Sequence, residues 1–301
     1  MVATAQGEGR VRPVRWLVTG AGGQLGSDVT DVLRMYGEDV VGCDRTRLDI
    51  ADPDSVQSVL DEERPDTVIN CAAYTRVDDA ESDEESAFCI NADGPDLLAR
   101  WCYDARARLV HVSTDYVFSG EATEPYPEET PVEPRSAYGR SKAAGERAVL
   151  TSGAHAWVVR TAWVYGAVGA NFVKTMARLA KTHDTVSVVD DQVGAPTWSL
   201  HLARGLVALG ASATRPGILH CTNGGEATWF VFTRAIFAEM GLDPARVQPT
   251  TTDAFPRPAP RPAYSVLSNR RWVAAGLPEM SHWRDALHEA FETVGAEFTD
   301  P

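Results

Sequence analysis

Tyr138 and Lys142 stand four residues apart in Ser136-Ala137-Tyr138-Gly139-Arg140-Ser141-Lys142. A phenol and an ammonium at that spacing project from one face of a helix, a turn from each other. A free tyrosine gives up its proton only near pH ~10, and a cation alongside favours the phenolate. The pair therefore reads as a phenol that can exchange a proton with a bound carbonyl or hydroxyl. Alone, Tyr-x-x-x-Lys usually marks a solvated helix face. Two upstream features give it chemical weight here: a glycine-rich strand-to-helix turn, and Ser113-Thr114-Asp115 closing an apolar strand.

The turn is Gly20-Ala21-Gly22-Gly23-Gln24-Leu25-Gly26, preceded by the apolar run 14–19. Leu25, Val29, Val32, Leu33 and Tyr36 after it fall at helical spacing; Gly37 stops that helix and 39–43 reads as the next strand. Strand, glycine turn, helix and strand make a βαβ unit. Gly20 permits the tight turn, Gly23 lets the backbone approach a pyrophosphate, and Gly26 lets helix and strand pack closely. Amides at the helix N-terminus then hold the phosphates. Asp44, eighteen residues past Gly26, stands where an acid would take the ribose hydroxyls of NAD, while Arg45 beside it suits the extra phosphate of NADP. The choice between NADH and NADPH stays open.

The elements that must position these groups follow in order. Asp52-Pro53 starts a helix running to Glu63, and 67–71 is a strand ending in Ala72-Ala73-Tyr74-Thr75. Small residues there suit backbone passing beneath a flat ligand, and a tight helix–strand contact explains them equally well. The acidic run 78–85 reads as a solvated helix start. Leu97, Leu98, Trp101 and Cys102 stripe the next helix, and 109–112 is a central strand with His111 as a core residue. Ser113-Thr114-Asp115 lies at its carboxyl end, where open α/β sheets place ligands. Beyond the strand 156–161 the alternation becomes irregular: 190–197 reads as a polar turn, 217–221 as an outer strand of the same sheet, and the proline-rich 254–262 as a loop over the site. The pattern predicts an α/β protein: a Rossmann-type doubly wound parallel sheet over 13–165 and a smaller C-terminal substrate-binding α/β region over 166–301. Parts near 185–221 are expected to return to the first domain, and 1–12 to form a disordered tail.

A net charge of −14 argues against nucleic acid and anionic membrane as partners, since both need a basic face. Five scattered cysteines with no Cys-x-x-Cys pair point to a reducing, cytoplasmic setting without disulfides. The seven histidines show no ligand-like spacing, so no metal site is assigned. No run of eighteen apolar residues exists to span a membrane, and the first thirteen residues lack a signal peptide's apolar segment.

With these residues in place the chain resembles the extended short-chain dehydrogenase/reductase family. Within it the likeness is to a branch that reduces the C4 ketone of dTDP-4-keto-6-deoxy sugars, dTDP-4-dehydro-L-rhamnose in the main case, and the resemblance implies that activity here. The likeness rests on Thr19–Gly26, Pro65–Thr75, Ser113–Phe118, Tyr138–Lys142, Arg160–Gly166 and Asp191–Thr197. It implies a catalytic triad of Thr114, Tyr138 and Lys142, with Lys142 holding the cofactor ribose and, together with the nicotinamide charge, depressing the Tyr138 pKa. It carries Gln24, Leu25, Asp49, Ile50, Ala72, Ala73, Tyr74 and Asn91 over to the NADPH or NADH site. Thr75, Val77, Thr114, Asp115, Tyr138, Trp163, Asn171 and Arg261 go to the sugar nucleotide. For Trp163 a core aromatic, and for Asn171 a helix cap, is the competing reading. The match loosens at 261–267, where relatives often carry a longer polar residue at Val266. Some relatives are described as magnesium-bridged dimers, so Mg2+ and a homodimer are expectations, but those carboxylates map onto no residue here. A ketoreductase for another deoxysugar, an epimerase or dehydratase, and a non-catalytic regulatory subunit are the alternatives.

Overall fold

The strand β1 (Arg15–Thr19) is apolar on both faces and buried, as a strand covered by helices on both sides must be. In the computed structural model, which describes residues 14–299, it leads into α1 (Gln24–Met35), β2 (Asp39–Cys43), α2 (Pro53–Glu63) and β3 (Thr67–Asn70). The tail expected over 1–12 lies outside the described residues. Next come α3 (Glu84–Phe88), α4 (Gly94–Ala105), β4 (Arg108–Thr114), α5 (Ala137–Thr151) and β5 (His155–Thr161). Local chemistry fixes several of these boundaries. Asp52 caps α2 through the Asp54 amide with Pro53 at the first position, and Ser136 Oγ caps α5 by accepting from the Gly139 amide at 3.0 Å.

The remainder is built of shorter pieces: β6 (Val164–Tyr165), α6 (Phe172–Thr182), β7 (Val186–Val189), β8 (Val193–Gly194), β9 (Thr197–Trp198), α7 (Ser199–Ala211), β10 (Gly217–His220), β11 (Ala227–Thr228), α8 (Trp229–Glu239), β12 (Val247–Thr250), α9 (Arg270–Ala274) and α10 (Trp283–Thr299). The stretch 190–197, expected as a polar turn, contains β8 and the first residue of β9. Strands of two residues carry no periodicity for a sequence to display.

The six-stranded sheet runs β10-β5-β4-β3-β1-β2, and every pairing in it is parallel. The chain order reverses between β1 and β3, which opens a crevice at their carboxyl ends, the ligand position of doubly wound sheets. Alternate side chains feed two cores. Trp16, Val18, Ile69, Val110, Trp157 and Val159 pack with α1 and α7, while Leu17, Val68, Leu109 and Val158 pack with α2 and α4. A third core (Tyr165, Val173, Met176, Phe232, Ile236, Phe237, Trp283, Leu287) joins α6, α8 and α10 into a C-terminal lobe. Its strands pair two by two, β6 with β9, β7 with β12 and β8 with β11.

Candidate active site

Between the sheet's carboxyl edge and the C-terminal lobe lies a cavity of about 1280 Å³. That exceeds the usual space of one drug-sized ligand, so a cofactor and a second ligand fit together. Gly20, Gly23, Gln24, Leu25 and Gly26 form one end. Gly20 has φ 64°, and a methyl on it would meet the Ala72 amide nitrogen at 2.8 Å; one on Gly26 would overlap the Gly20 carbonyl. The N-cap of α1, Gly23, offers no side-chain acceptor to the first-turn amides, which leaves those donors for an anion. The donor set therefore fits a pyrophosphate.

Asp44 at the end of β2 and Arg45 both reach this end of the cavity, with Asp49 and Ile50 beside them. Asp44 Oδ1 accepts from Thr46 Oγ1 at 2.6 Å, the Thr46 amide at 2.9 Å and the Arg47 amide at 3.1 Å, and these bonds, Thr46 first, hold its carboxyl below the usual range. Arg45 pairs with Asp49 at 3.3 Å. An acceptor and a cation thus sit side by side where a ribose hydroxyl or a 2′-phosphate would arrive. Ala72 and Ala73 line the floor.

Tyr74 and Asn91, expected at the cofactor, do not line the cavity. The Tyr74 ring is buried against Ala80, Ala87 and Ala137. Asn91 Oδ1 accepts from the Tyr74 amide at 2.9 Å, and its Nδ2 donates to the Tyr74 carbonyl and Ser141 Oγ, both at 3.0 Å. With its carboxamide fully engaged, Asn91 ties the segment after β3 to α5.

Thr114, at the end of β4, and Tyr138 and Lys142, on α5, converge at the centre. The Thr114 hydroxyl, beside the Tyr138 phenol, donates to Asp115 Oδ1 at 3.0 Å and accepts from the Tyr116 amide at 3.2 Å. Lys142 Nζ donates to the Val112 carbonyl at 2.7 Å. In the fold itself burial, rather than the nearby ammonium, dominates the phenol. Burial pushes Tyr138 up to about 12, the Thr114 bond opposing it, and burial brings Lys142 down to about 8. Removing water from both groups outweighs any attraction between them. Burial likewise raises the Asp115 carboxyl to about 6, against the hydroxyls of Ser265 and Thr114. Beneath them Glu146 accepts Arg160 Nε at 2.8 Å, Arg160 Nη2 at 2.7 Å and Ser113 Oγ at 2.6 Å, which fastens α5 to β4 and β5. His111, buried in β4, takes the Asn70 carboxamide on Nδ1 at 3.0 Å, while its Nε2 has no partner.

At the outer end Thr75, Val77, Trp163 and Arg261 line the cavity. Asn171 does not. Its Oδ1 caps α6 by accepting from the Lys174 amide at 3.1 Å, and its Nδ2 donates to Gln24 Oε1 at 3.0 Å and the Gly166 carbonyl at 2.8 Å. The cap was the competing expectation; it takes Oδ1, and the bonds to Gln24 and Gly166 take Nδ2.

Sequence reasoning missed four groups. Trp229 and Gln192 line the cavity from the C-terminal lobe, and Arg257 lines its mouth. Asp78, expected as a solvated helix acid, grips the proline-rich loop: Arg261 Nη2 lies 2.8 Å from its Oδ1, Arg257 Nη1 4.0 Å from its Oδ2, and the Ala259 amide donates to Oδ1 at 3.3 Å. Two arginines near one proline-rich segment were the available signal; which acid they meet is a tertiary fact. Among the described residues no cluster of three or more His, Cys, Asp or Glu could hold a metal, and no helix is long and apolar enough to cross a membrane.

A family model described as the RmlD substrate binding domain matches residues 14–295. The chain belongs to this family. Two curated relatives from streptomycetes are similar over nearly their whole length. One, a dTDP-4-dehydrorhamnose reductase from Streptomyces griseus, is 51% identical over 93% of this chain and 94% of its own. The other, a probable dTDP-4,6-dihydroxy-2-methyloxan-3-one 4-ketoreductase from Streptomyces antibioticus, is 49% identical over 93% and 96%. Among solved structures, dTDP-4-dehydrorhamnose reductase from Bacillus anthracis in complex with NADP superposes with a TM-score of 0.90 at 38% identity, covering 93% of this chain and 99% of that one. A family built on that scaffold shares the α/β sheet and the crevice described above.

Proposed function

We propose that this chain reduces the C4 ketone of dTDP-4-dehydro-L-rhamnose to dTDP-L-rhamnose with NADPH or NADH. The observation that carries the reading is the convergence of Thr114, Tyr138 and Lys142 in a cavity that also contains an uncapped glycine turn. The names of relatives about half identical over almost the full chain support it.

The reduced nicotinamide, when bound, supplies the hydride. The remaining work falls to the chain's own residues. The first-turn amides of α1 hold the pyrophosphate, and Asp44 or Arg45 meets the adenosine ribose. Lys142, charged below its pKa of about 8, donates to the nicotinamide ribose and keeps a cation near the phenol. Tyr138 gives its proton to the ketone oxygen as negative charge develops there. Thr114 orients that phenol and lies within reach of the same oxygen. Arg261, with Arg257 nearby, faces the diphosphate at the mouth, and Thr75, Val77, Asp115 and Trp163 surround the sugar.

The two curated relatives name different sugars at nearly equal identity, so a ketoreductase for another dTDP-4-keto-6-deoxy sugar is the second reading. Incubating the protein with dTDP-4-dehydrorhamnose and following the reduced-nicotinamide absorbance tests the first. Its consumption with formation of dTDP-L-rhamnose is the expected result; no consumption overturns the reductase assignment, and turnover only with another dTDP-4-keto sugar selects the second reading. A cytoplasmic location and a homodimer complete the proposal, the latter to be measured by sedimentation.

A further inference from the structure

Trp163 has φ 47°, a backbone region that a bulky residue occupies only when its surroundings hold it there. Two other non-glycine residues among those described share it, Arg64 and Arg106, and both simply end helices. What holds Trp163 is visible. Its indole lies flat on that of Trp229, with ring centroids 3.4 Å apart and planes within 4°. One ring comes from the end of the parallel sheet and the other from the first residue of α8, so the pair bridges the two lobes across the cavity.

The space for this stack is made by Gly194 in β8. A methyl on Gly194 would meet the Trp163 indole at Nε1, 2.5 Å, and Cζ2, 2.7 Å, closer than atoms can approach. Trp229 is fixed independently: its Nε1 donates to Gln192 Oε1 at 3.2 Å, and Gln192 Nε2 donates to Thr252 Oγ1 at 2.9 Å. Asp191 completes the tie by accepting from Thr252 Oγ1 at 2.7 Å and from its amide at 2.8 Å. The sequence Asp191-Gln192-Val193-Gly194 is thus one clamp on the tryptophan pair and on the start of the proline-rich loop.

We infer that Gly194 and Gln192 are positioning residues whose task is to hold the Trp163–Trp229 pair as the wall against which the sugar of the substrate is seated. The inference rests on the reductase reading for its substrate and goes beyond it in assigning these two residues. Neither indole belongs to the glycine turn, so disturbing the wall should alter sugar-nucleotide binding more than cofactor binding.

The test compares Gly194→Ala, Gln192→Leu and Gly194→Ala in a Trp163→Phe background, the phenyl ring lacking the indole atoms that a methyl at position 194 would strike. Circular dichroism reads the exciton coupling of the stacked indoles without any substrate. Gly194→Ala should abolish that coupling and raise KM for the sugar nucleotide about tenfold or more, with the NADPH Kd within about twofold of the parent. Gln192→Leu should weaken the coupling and raise the same KM. In the Trp163→Phe background Gly194→Ala should cost far less than it does in the parent, a non-additivity that a general packing defect does not produce. Retention of coupling and KM in Gly194→Ala overturns the inference, as does an equal penalty in both backgrounds or a parallel loss of NADPH binding. Absence of turnover in the parent protein is a different failure: it removes the reductase reading, while the circular dichroism and the NADPH titration remain interpretable.

Discussion

The two ends of the substrate cavity are held together by different physics. At the inner end Thr114, Asp115 and Lys142 are buried and Tyr138 partly so, and loss of water is the leading influence on Asp115, Tyr138 and Lys142. At the mouth Arg257 and Arg261 meet Asp78 in contact with solvent, the Arg257 side chain 62% exposed and that of Arg261 20%. A proton or charge altered inside is felt at nearly full strength, whereas one altered at the mouth is screened. The contrast suits a reductase, which needs a dry place for charge to develop and an accessible place for a diphosphate to land.

Tyr138→Phe is the strongest way to break the contrast. It should lower kcat by about 10²–10⁴-fold while leaving the NADPH Kd nearly unchanged, as steady-state kinetics and a fluorescence titration would read. A smaller loss there than at the mouth would invert the comparison.

Asp115→Asn sharpens it through pH. Burial raises this carboxyl from 3.8 to about 6 in the folded protein. Between those values the folded state binds a proton that the unfolded state does not, so the wild-type contribution to stability falls as pH rises through that window. Asparagine never takes the charge. The variant should therefore gain up to about 3 kcal/mol above pH ~6, and the gain should vanish towards pH ~4, in denaturation curves recorded at both ends. A gain of equal size at both pH values would mean that burial of charge is not the cause.

At the mouth, Arg261→Ala should raise KM for the sugar nucleotide about tenfold, or about 1.4 kcal/mol, with kcat little changed and the effect shrinking in added salt. Asp78→Asn should be smaller still, within about 1 kcal/mol in unfolding free energy and in the free energy read from KM, as screened ion pairs are. An Asp78 effect as large as that of Tyr138 would show the mouth to be drier than its exposure implies.

The nucleotide half was readable because its signals are local. Gly20, Gly23 and Gly26, the apolar run through Trp16, Leu17 and Val18, and the Asp52-Pro53 helix start each depend on neighbours in sequence. Tyr138 and Lys142 share a helix face by spacing alone. Tyr74, Asn91 and Asn171 were drawn to the ligands by likeness, yet their side-chain polar atoms meet other groups of the protein: Asp83 for Tyr74, backbone and Ser141 for Asn91, backbone and Gln24 for Asn171. Nothing in one chain segment reveals which partner wins such a side chain.

By itself the sequence determined a glycine turn on a parallel sheet and a phenol–ammonium pair at the start of a later helix, because helix and strand periods are short-range properties. Only the tertiary structure decided that burial would set the pKa values of Asp115, Tyr138 and Lys142, that Asp78 would grip Arg261 from far along the chain, and that a glycine at 194 would make room for the indole of Trp163. Desolvation, ion pairing and close packing depend on everything that surrounds a group, and most of that surrounding arrives from distant parts of the chain.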